Sequence, residues 1–580
     1  MTTDQTRRLS RLVGLFAVAG GTVFGLAMGG AVPSAAVAAQ EKEKEKDPDK
    51  PSTLPTLMGI GQCVLCHSTQ KGATYPPGVA LFVKAGSTKF IRLDENLIWS
   101  ENDLHSRSFQ NLTGPLGKAM EREMKRAEPG FKATEDVRCL ACHATATGPL
   151  VKGQQLTVKH FDSSQGVTCE MCHGHASNWY NPHSKLLANR IDWREWPPGK
   201  KTNYNLIDLR DPKVRAAKCA ECHIGNLDQG KFVTHDMFAA GHPPLPPLDV
   251  IAYFRDQPRH WGFPREMPYL VDLAKSPKTA KTAWDVFHYR SEEDVTVDGK
   301  TIRGEVYAAR QLAISTLATF RSSIQLIGQV PGASDGGLDF AAFDCYACHH
   351  DLVFPSPRQK RGYVGKPGRP SFRPWLSGMT RLMVRHGIGT DRADAKDGLV
   401  TRLSALEREL AVAFDQKTFG EPEAIRKVCA KIDVWCQEAL EVLEGIHYDR
   451  DQALRLLKDV IAAGRDEKEL IADPESAQLI AWAFLTLREE LRVSPPKQDE
   501  PAVITGLCGR LDTLVVTRLR ADPKAKKKAN VPDPLGGENN ETPVPIEDRL
   551  GERLKLFNRF DVTKFRQTFD ELNTQSGLFK

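Results

Sequence analysis

The sequence predicts a mainly α fold in two parts. An irregular part, with short helices and long loops packed around bound groups, is followed by an all-α helical domain. Three observations predict it. The pentapeptide CxxCH recurs five times between residues 63 and 349. The same part is rich in Pro, Gly and His and shows little sustained periodicity. From about Thr390 onward, apolar residues instead keep helical spacing.

The elements follow in order. Arg7, Arg8 and Arg11 precede an apolar run from Leu12 to Met28, and "AVPSAAVAAQ" offers small-residue cleavage sites near Ala38 and Ala39. Residues 1–39 therefore read as a secretory signal peptide, with an uncleaved membrane anchor as the lesser alternative. "EKEKEKDPDKPSTLP" then forms a charged, proline-bearing linker over 40–57 that cannot bury a core. "VALFVKAGSTKFIRL" alternates around Gly86 like a β-hairpin inserted after the first motif. "EVYAARQLAISTLATFRSSIQLI" reads as a helix before the fifth motif. In the last part Leu399, Leu403, Leu406 and Leu410 share one helical face, and "DRDQALRLLKDVIAAG" carries an Asp cap and a Gly stop. "DPESAQLIAWAFLTLREEL" starts with a capping Asp and a first-turn Pro. Four to six helices are expected there, with a loop between Asp522 and Glu547.

The five pentapeptides carry the chemistry. They are Cys63, Cys66 and His67; Cys139, Cys142 and His143; Cys169, Cys172 and His173; Cys219, Cys222 and His223; and Cys345, Cys348 and His349. With 13 Cys and 16 His in 580 residues, chance would supply roughly 0.01 such strings. Two thiols three positions apart can each join one vinyl group of a porphyrin, and the next residue offers an imidazole to the iron, so the pattern reads as covalent haem c attachment. Five covalently attached haems c are expected. A zinc site needs four ligands and gives no reason for a His after every second Cys, so zinc is not expected. A disulfide framework fails because CxxC closes only tiny loops in a chain too long to need stapling.

Three cysteines remain, Cys429, Cys436 and Cys508. The first two stand seven apart in a helical pattern, about 10 Å along the axis. That is too far for a disulfide within one helix, and they read as buried apolar residues. The net charge of +6 permits an acidic redox partner but gives nucleic-acid binding no support.

Beyond these patterns, residues from about Gly61 to Pro247 resemble the tetrahaem cytochrome c-554 family. The resemblance rests on the order CVLCH, "WSENDLH" (Trp99 to His105), CLACH, "GVTCEMCHG" and CAECH. Together with the helical spacing from about Thr390, it divides the chain into a cytochrome c-554-like domain over 58–255, a fifth-haem extension over 256–389 and a haem-free helical domain over 390–580, the hairpin, fifth haem and helical domain being departures from the family. The resemblance also implies ligands. His183 would cap the first haem and His105 the third, while the iron held by His143 would have no protein ligand opposite and stay open. His175 has no counterpart and reads as a contact to a propionate or to backbone.

Further ligands come from "THDMFAAGHPPLPP", in which His235 and His242 stand seven apart and so share one face if helical. Pro243 turns the chain out of the helix at His242. His242 is read as the cap of the fourth haem and His235 as that of a neighbour. His350 is a candidate cap beside His349; His260, His288 and His386 are further candidates, and His160 and His447 read as surface residues.

Two functions are in view. One is an exported, periplasmic electron carrier that exchanges electrons with other redox proteins. The other is an enzyme converting a small nitrogen compound, such as nitric oxide, nitrite or hydroxylamine, at one open iron. A structural role fits only the helical domain, through which dimerisation is possible.

Overall fold

A computed structural model of the chain describes residues 56–68, 94–145, 162–184, 196–297, 299–330, 338–349, 352–355, 366–370, 372–373, 375–387, 393–466, 473–493, 501–515 and 560–575. The fold is mainly α. The expected signal peptide, hairpin and 522–547 loop lie outside the described residues, as do His160, His350 and all of the linker but Thr56 and Leu57, the latter buried in the fold. Among the described residues, the one sheet is a two-stranded antiparallel ribbon, Val295–Val297 with Lys300–Ile302. Its turn passes through Gly299 at φ 74°, a left-handed conformation that suits a residue without Cβ.

Short helices deliver the CxxCH motifs. Asp136, Asp211 and Asp344 each accept a hydrogen bond from the backbone N–H two residues on, satisfying a donor that the helix start leaves open. The segments they begin are Val137–His143, Pro212–His223 and a 3₁₀ turn at Cys345–Ala347. The first and third motifs also close helices, Ile60–His67 and Cys169–His173. Helical spacing puts the two cysteines about one turn apart on one side, with the histidine beside them.

The helix Tyr307–Gln329 is the spine of the larger core. Ala309, Leu312, Ala313, Ile314 and Leu317 are almost wholly enclosed, as expected of a helix apolar on most of its circumference. It packs against Pro212–His223 on one side and Pro422–Gly445 and Trp375–Gly387 on others. One continuous apolar cluster thus runs from Ala216 and Ala220, beside the fourth motif, to Phe565 and Phe569 near the C-terminus. The core crosses both expected boundaries, 255/256 and 389/390.

Six helices follow residue 390 among the described residues: Ala393–Asp415, Pro422–Gly445, Arg450–Asp466, Pro474–Val493, Ala502–Leu514 and Val562–Thr574. Leu403 and Leu410 are fully buried, and Cys429 and Cys436 lie in the same core. Asp473 caps its helix, accepting from the Ser476 N–H at 3.0 Å. Gly464 corrects the reading of a stop signal. The helix continues to Asp466, and a Cβ at 464 would meet the Phe569 ring at 2.5 Å. This glycine lets Val562–Thr574 approach closely. No helix among the described residues is long and apolar enough to cross a membrane.

Candidate functional site

Each motif histidine faces one histidine from elsewhere in the chain. The ring centres stand 6.3 Å apart for His67 and His183, 6.4 Å for His143 and His242, and 6.4 Å for His173 and His260. They stand 6.2 Å apart for His223 and His105, and 6.4 Å for His349 and His235. Two imidazoles binding one iron from opposite sides, with metal–nitrogen bonds of about 2 Å, place their ring centres about 6 Å apart. Five pairs at one spacing, each beside a CxxC, fit a haem iron between two imidazoles. Among the described residues no group of three or more His, Cys, Asp or Glu could share one ion. The imidazoles come in twos.

Ring orientation is set by what holds the far nitrogen. Nδ1 of His67 lies 2.9 Å from Glu95 Oε2, and Nδ1 of His105 lies 2.9 Å from Asp103 Oδ1. Nδ1 of His143, His183 and His242 donates to the carbonyls of Ser108, Tyr180 and Pro243, each at 2.8 Å. Fixing Nδ1 as the protonated nitrogen turns the Nε2 lone pair toward the opposite ring. Desolvation lowers the pKa of His143 and pushes His173, His223 and His242 down to about 4, so these rings are neutral and able to donate at neutral pH. Desolvation also pushes the Cys139 and Cys172 thiols up to about 12 and Cys219 to about 11.

Several of these positions, though not that of His183, correct the ligand expectations. His183 lies opposite the first motif's His67. His105 lies opposite the fourth motif's His223, not the third's His173; the ring facing His173 belongs to His260. His242 lies opposite His143 rather than His223, so the expected open side of His143 has an imidazole. The physical reason is the end of the short helix His235–Ala239. Gly241 has φ 111°, so His235 and His242 share no helical face and turn to different motifs. His386 is buried and bonds Asp459 at 2.7 Å, His288 sits 3.9 Å from Asp208, and His447 bonds the Arg303 carbonyl at 2.7 Å. None of these three stands opposite a motif histidine in the pairs above.

The five sites are neighbours in an order unlike their order in the chain. The Cys63 and Cys169 thiols are within hydrogen-bonding reach, which joins the first site to the third. Cys172 lies near enough to Cys219 and Cys222 for their charges to act on it, which sets the third site near the fourth, and Cys142 is within hydrogen-bonding reach of Cys222, joining fourth to second. The helix His235–Ala239 and the turn after it join second to fifth.

The two strings "WSENDLH" and "GVTCEMCHG" form one unit. The Trp99 indole N–H donates to the Val167 carbonyl at 3.0 Å, and the Val167 N–H donates to the His105 carbonyl at 3.0 Å. Gly166, at φ 70°, passes so close that a Cβ would meet the His105 carbonyl oxygen at 2.7 Å. At Gly174, φ 86°, an added Cβ would collide with the Asn205 carbonyl oxygen. Glu170 is 2% exposed. Its carboxylate accepts from the N–H groups of Met58 at 2.9 Å, Gly59 at 2.8 Å and Ala176 at 2.8 Å, tying the first motif's helix to the third.

Sequence reasoning missed Glu95, Asp103 and Glu170 as functional residues. The signal was their place inside or beside strings already singled out. Residues 94–174, which span both strings, match the family model described as cytochrome c554 and c-prime. No curated protein and no solved structure gave a match to the chain.

Proposed function

We propose that this chain, a cytochrome of the c554 family across residues 94–174, carries five covalently attached haems c and relays electrons between redox proteins outside the cytoplasm. The family implies c-type haem. The number five rests on the five CxxCH motifs, each supplying two thiols and one imidazole.

The observation that carries the relay reading is the second imidazole at every motif. An iron held on both sides has no place for a substrate and exchanges electrons only, and two imidazoles set a modest potential compared with Met/His ligation. Each site would hold its cofactor through Cys63 and Cys66, Cys139 and Cys142, Cys169 and Cys172, Cys219 and Cys222, or Cys345 and Cys348. The opposed rings exclude water and other ligands from the metal. Adjacency in the order first, third, fourth, second, fifth supports one continuous path through the protein.

The enzymatic alternative needs one site without an opposing ligand, and the position of His242 beside His143 removes the support for it there. The test is spectroscopic. Mass spectrometry of the mature protein is expected to find five haems, electron paramagnetic resonance to find all of them low-spin, and carbon monoxide to leave the reduced spectrum unchanged. Carbon monoxide bound at one haem would overturn the relay reading in favour of the enzyme.

A further inference from the structure

The five sites differ in what stands behind their imidazoles. At the second site both rings donate to neutral backbone carbonyls, of Ser108 and of Pro243. At the first site one ring, His67, faces the Glu95 carboxylate instead, while its opposite, His183, faces the Tyr180 carbonyl. At the fourth site His105 faces the Asp103 carboxylate. A carboxylate draws the Nδ1 proton further than a carbonyl does. The imidazole then becomes the more basic ligand and favours the oxidised metal.

Both carboxylates are built into place. Glu95 begins the helix Glu95–Asn102, and Asp103 follows its end. Trp99, in the middle of that helix, is pinned to the Val167 carbonyl. The Asp103 side chain is 3% exposed, so water screens its charge little. It also accepts from the His105 backbone N–H at 3.0 Å and from Gln257 Nε2 at 2.8 Å. One short stretch thus delivers an anionic partner to two different sites.

We infer that Glu95 and Asp103 are positioning residues that hold the first and fourth sites at lower reduction potential than the second. An electron in the partly reduced protein then rests at the carbonyl-backed second site in preference to the first or fourth. The inference rests on the five-haem relay reading and adds to it a direction of preference along the path.

Stepwise redox titration of the holoprotein, followed by absorbance and electron paramagnetic resonance, tests it. Glu95→Gln and Asp103→Asn are each expected to raise the midpoint of one haem and leave the other four in place, with all five still low-spin. The double variant is expected to raise two. Because Asp103 is buried, Gln257→Leu provides a milder test that keeps the carboxylate on His105. A smaller, downward shift is expected there, because Asp103 loses a competing donor and draws the His105 proton further, and it should be confined to the haem that Asp103→Asn moves. In variants that retain five low-spin haems, unmoved or lowered midpoints for Glu95→Gln and Asp103→Asn, or a raised one for Gln257→Leu, overturn the inference. Fewer than five haems, or a high-spin iron, in the unsubstituted protein would instead count against the relay reading.

Discussion

Replacing Glu170 by Gln tests whether one buried carboxylate holds the first and third motifs together. Its two oxygens receive three backbone N–H groups, from Met58, Gly59 and Ala176, at 2.8 to 2.9 Å. A hydrogen bond to a charged group contributes roughly 1.5–3 kcal/mol net, and a buried donor left without an acceptor costs about 1–3 kcal/mol. Glutamine keeps one acceptor oxygen and turns an NH₂ toward an N–H that cannot accept. Allowing for non-additivity, the loss should be about 2–4 kcal/mol for Gln and larger for Ala. Against a total stability of about 5–15 kcal/mol, that is a large fraction. Guanidinium unfolding of the holoprotein, read by far-ultraviolet circular dichroism and by the Soret band, measures it. The Soret signal should also change in the folded variant, because the helix bearing Cys63 and Cys66 is released from its anchor. A loss below about 1 kcal/mol with an unaltered Soret signal would refute the argument.

Two further predictions follow from named contacts. His242→Ala should remove the ring opposite His143 and convert one low-spin haem to a high-spin form that binds carbon monoxide; an unchanged low-spin spectrum would show that His242 is no ligand. Asp208, bonded by Arg210 at 2.8 and 3.0 Å and lying 3.8 Å from the buried Lys201 amine, has its pKa lowered, since Arg210 and Lys201 outweigh the opposing effect of burial. A depressed carboxylate contributes stability that is present above its unfolded value of about 4 and lost as pH falls through the folded value. Asp208→Asn should therefore cost about 2–3 kcal/mol at pH 7. The difference from the unsubstituted protein should shrink below pH 4, and a constant difference down to pH 3 would contradict this.

The five proposed attachment sites are legible in the sequence because covalent haem attachment would demand a fixed local spacing, C-x-x-C-H, that no fold can alter. The pool of opposing ligands was partly legible, since His105, His183, His235 and His242 all stood out. Their pairing was not. Which ring meets which depends on where separate segments cross in space, and His105 meets His223 from far along the chain. His260 lies in irregular backbone between Pro258 and Pro264, with no period to mark it. The C-terminal helices were visible from their caps and apolar spacing. What hid was the continuity of their core with the fourth motif's helix, because Ala216 and Ala220 look like indifferent helix formers until Tyr307–Gln329 packs on them. Gly464 misled for a similar reason. A glycine reads alike whether it ends a helix or admits a neighbouring ring.

The desolvated thiols have a consequence for how the protein is made. A thiol with a pKa of about 12, as at Cys139 and Cys172, offers on the order of one thiolate per ten thousand to a hundred thousand molecules near neutral pH. Once the chain has closed, those sulfurs are poor nucleophiles toward a vinyl group. At these two cysteines porphyrin would join more readily while the polypeptide is still open, the chain then folding around cargo already in place. Haem added to a finished apoprotein should therefore rebuild the second and third sites poorly, whereas Cys222, whose thiol is held down to about 7 chiefly by its hydrogen bond with Cys142, stays reactive.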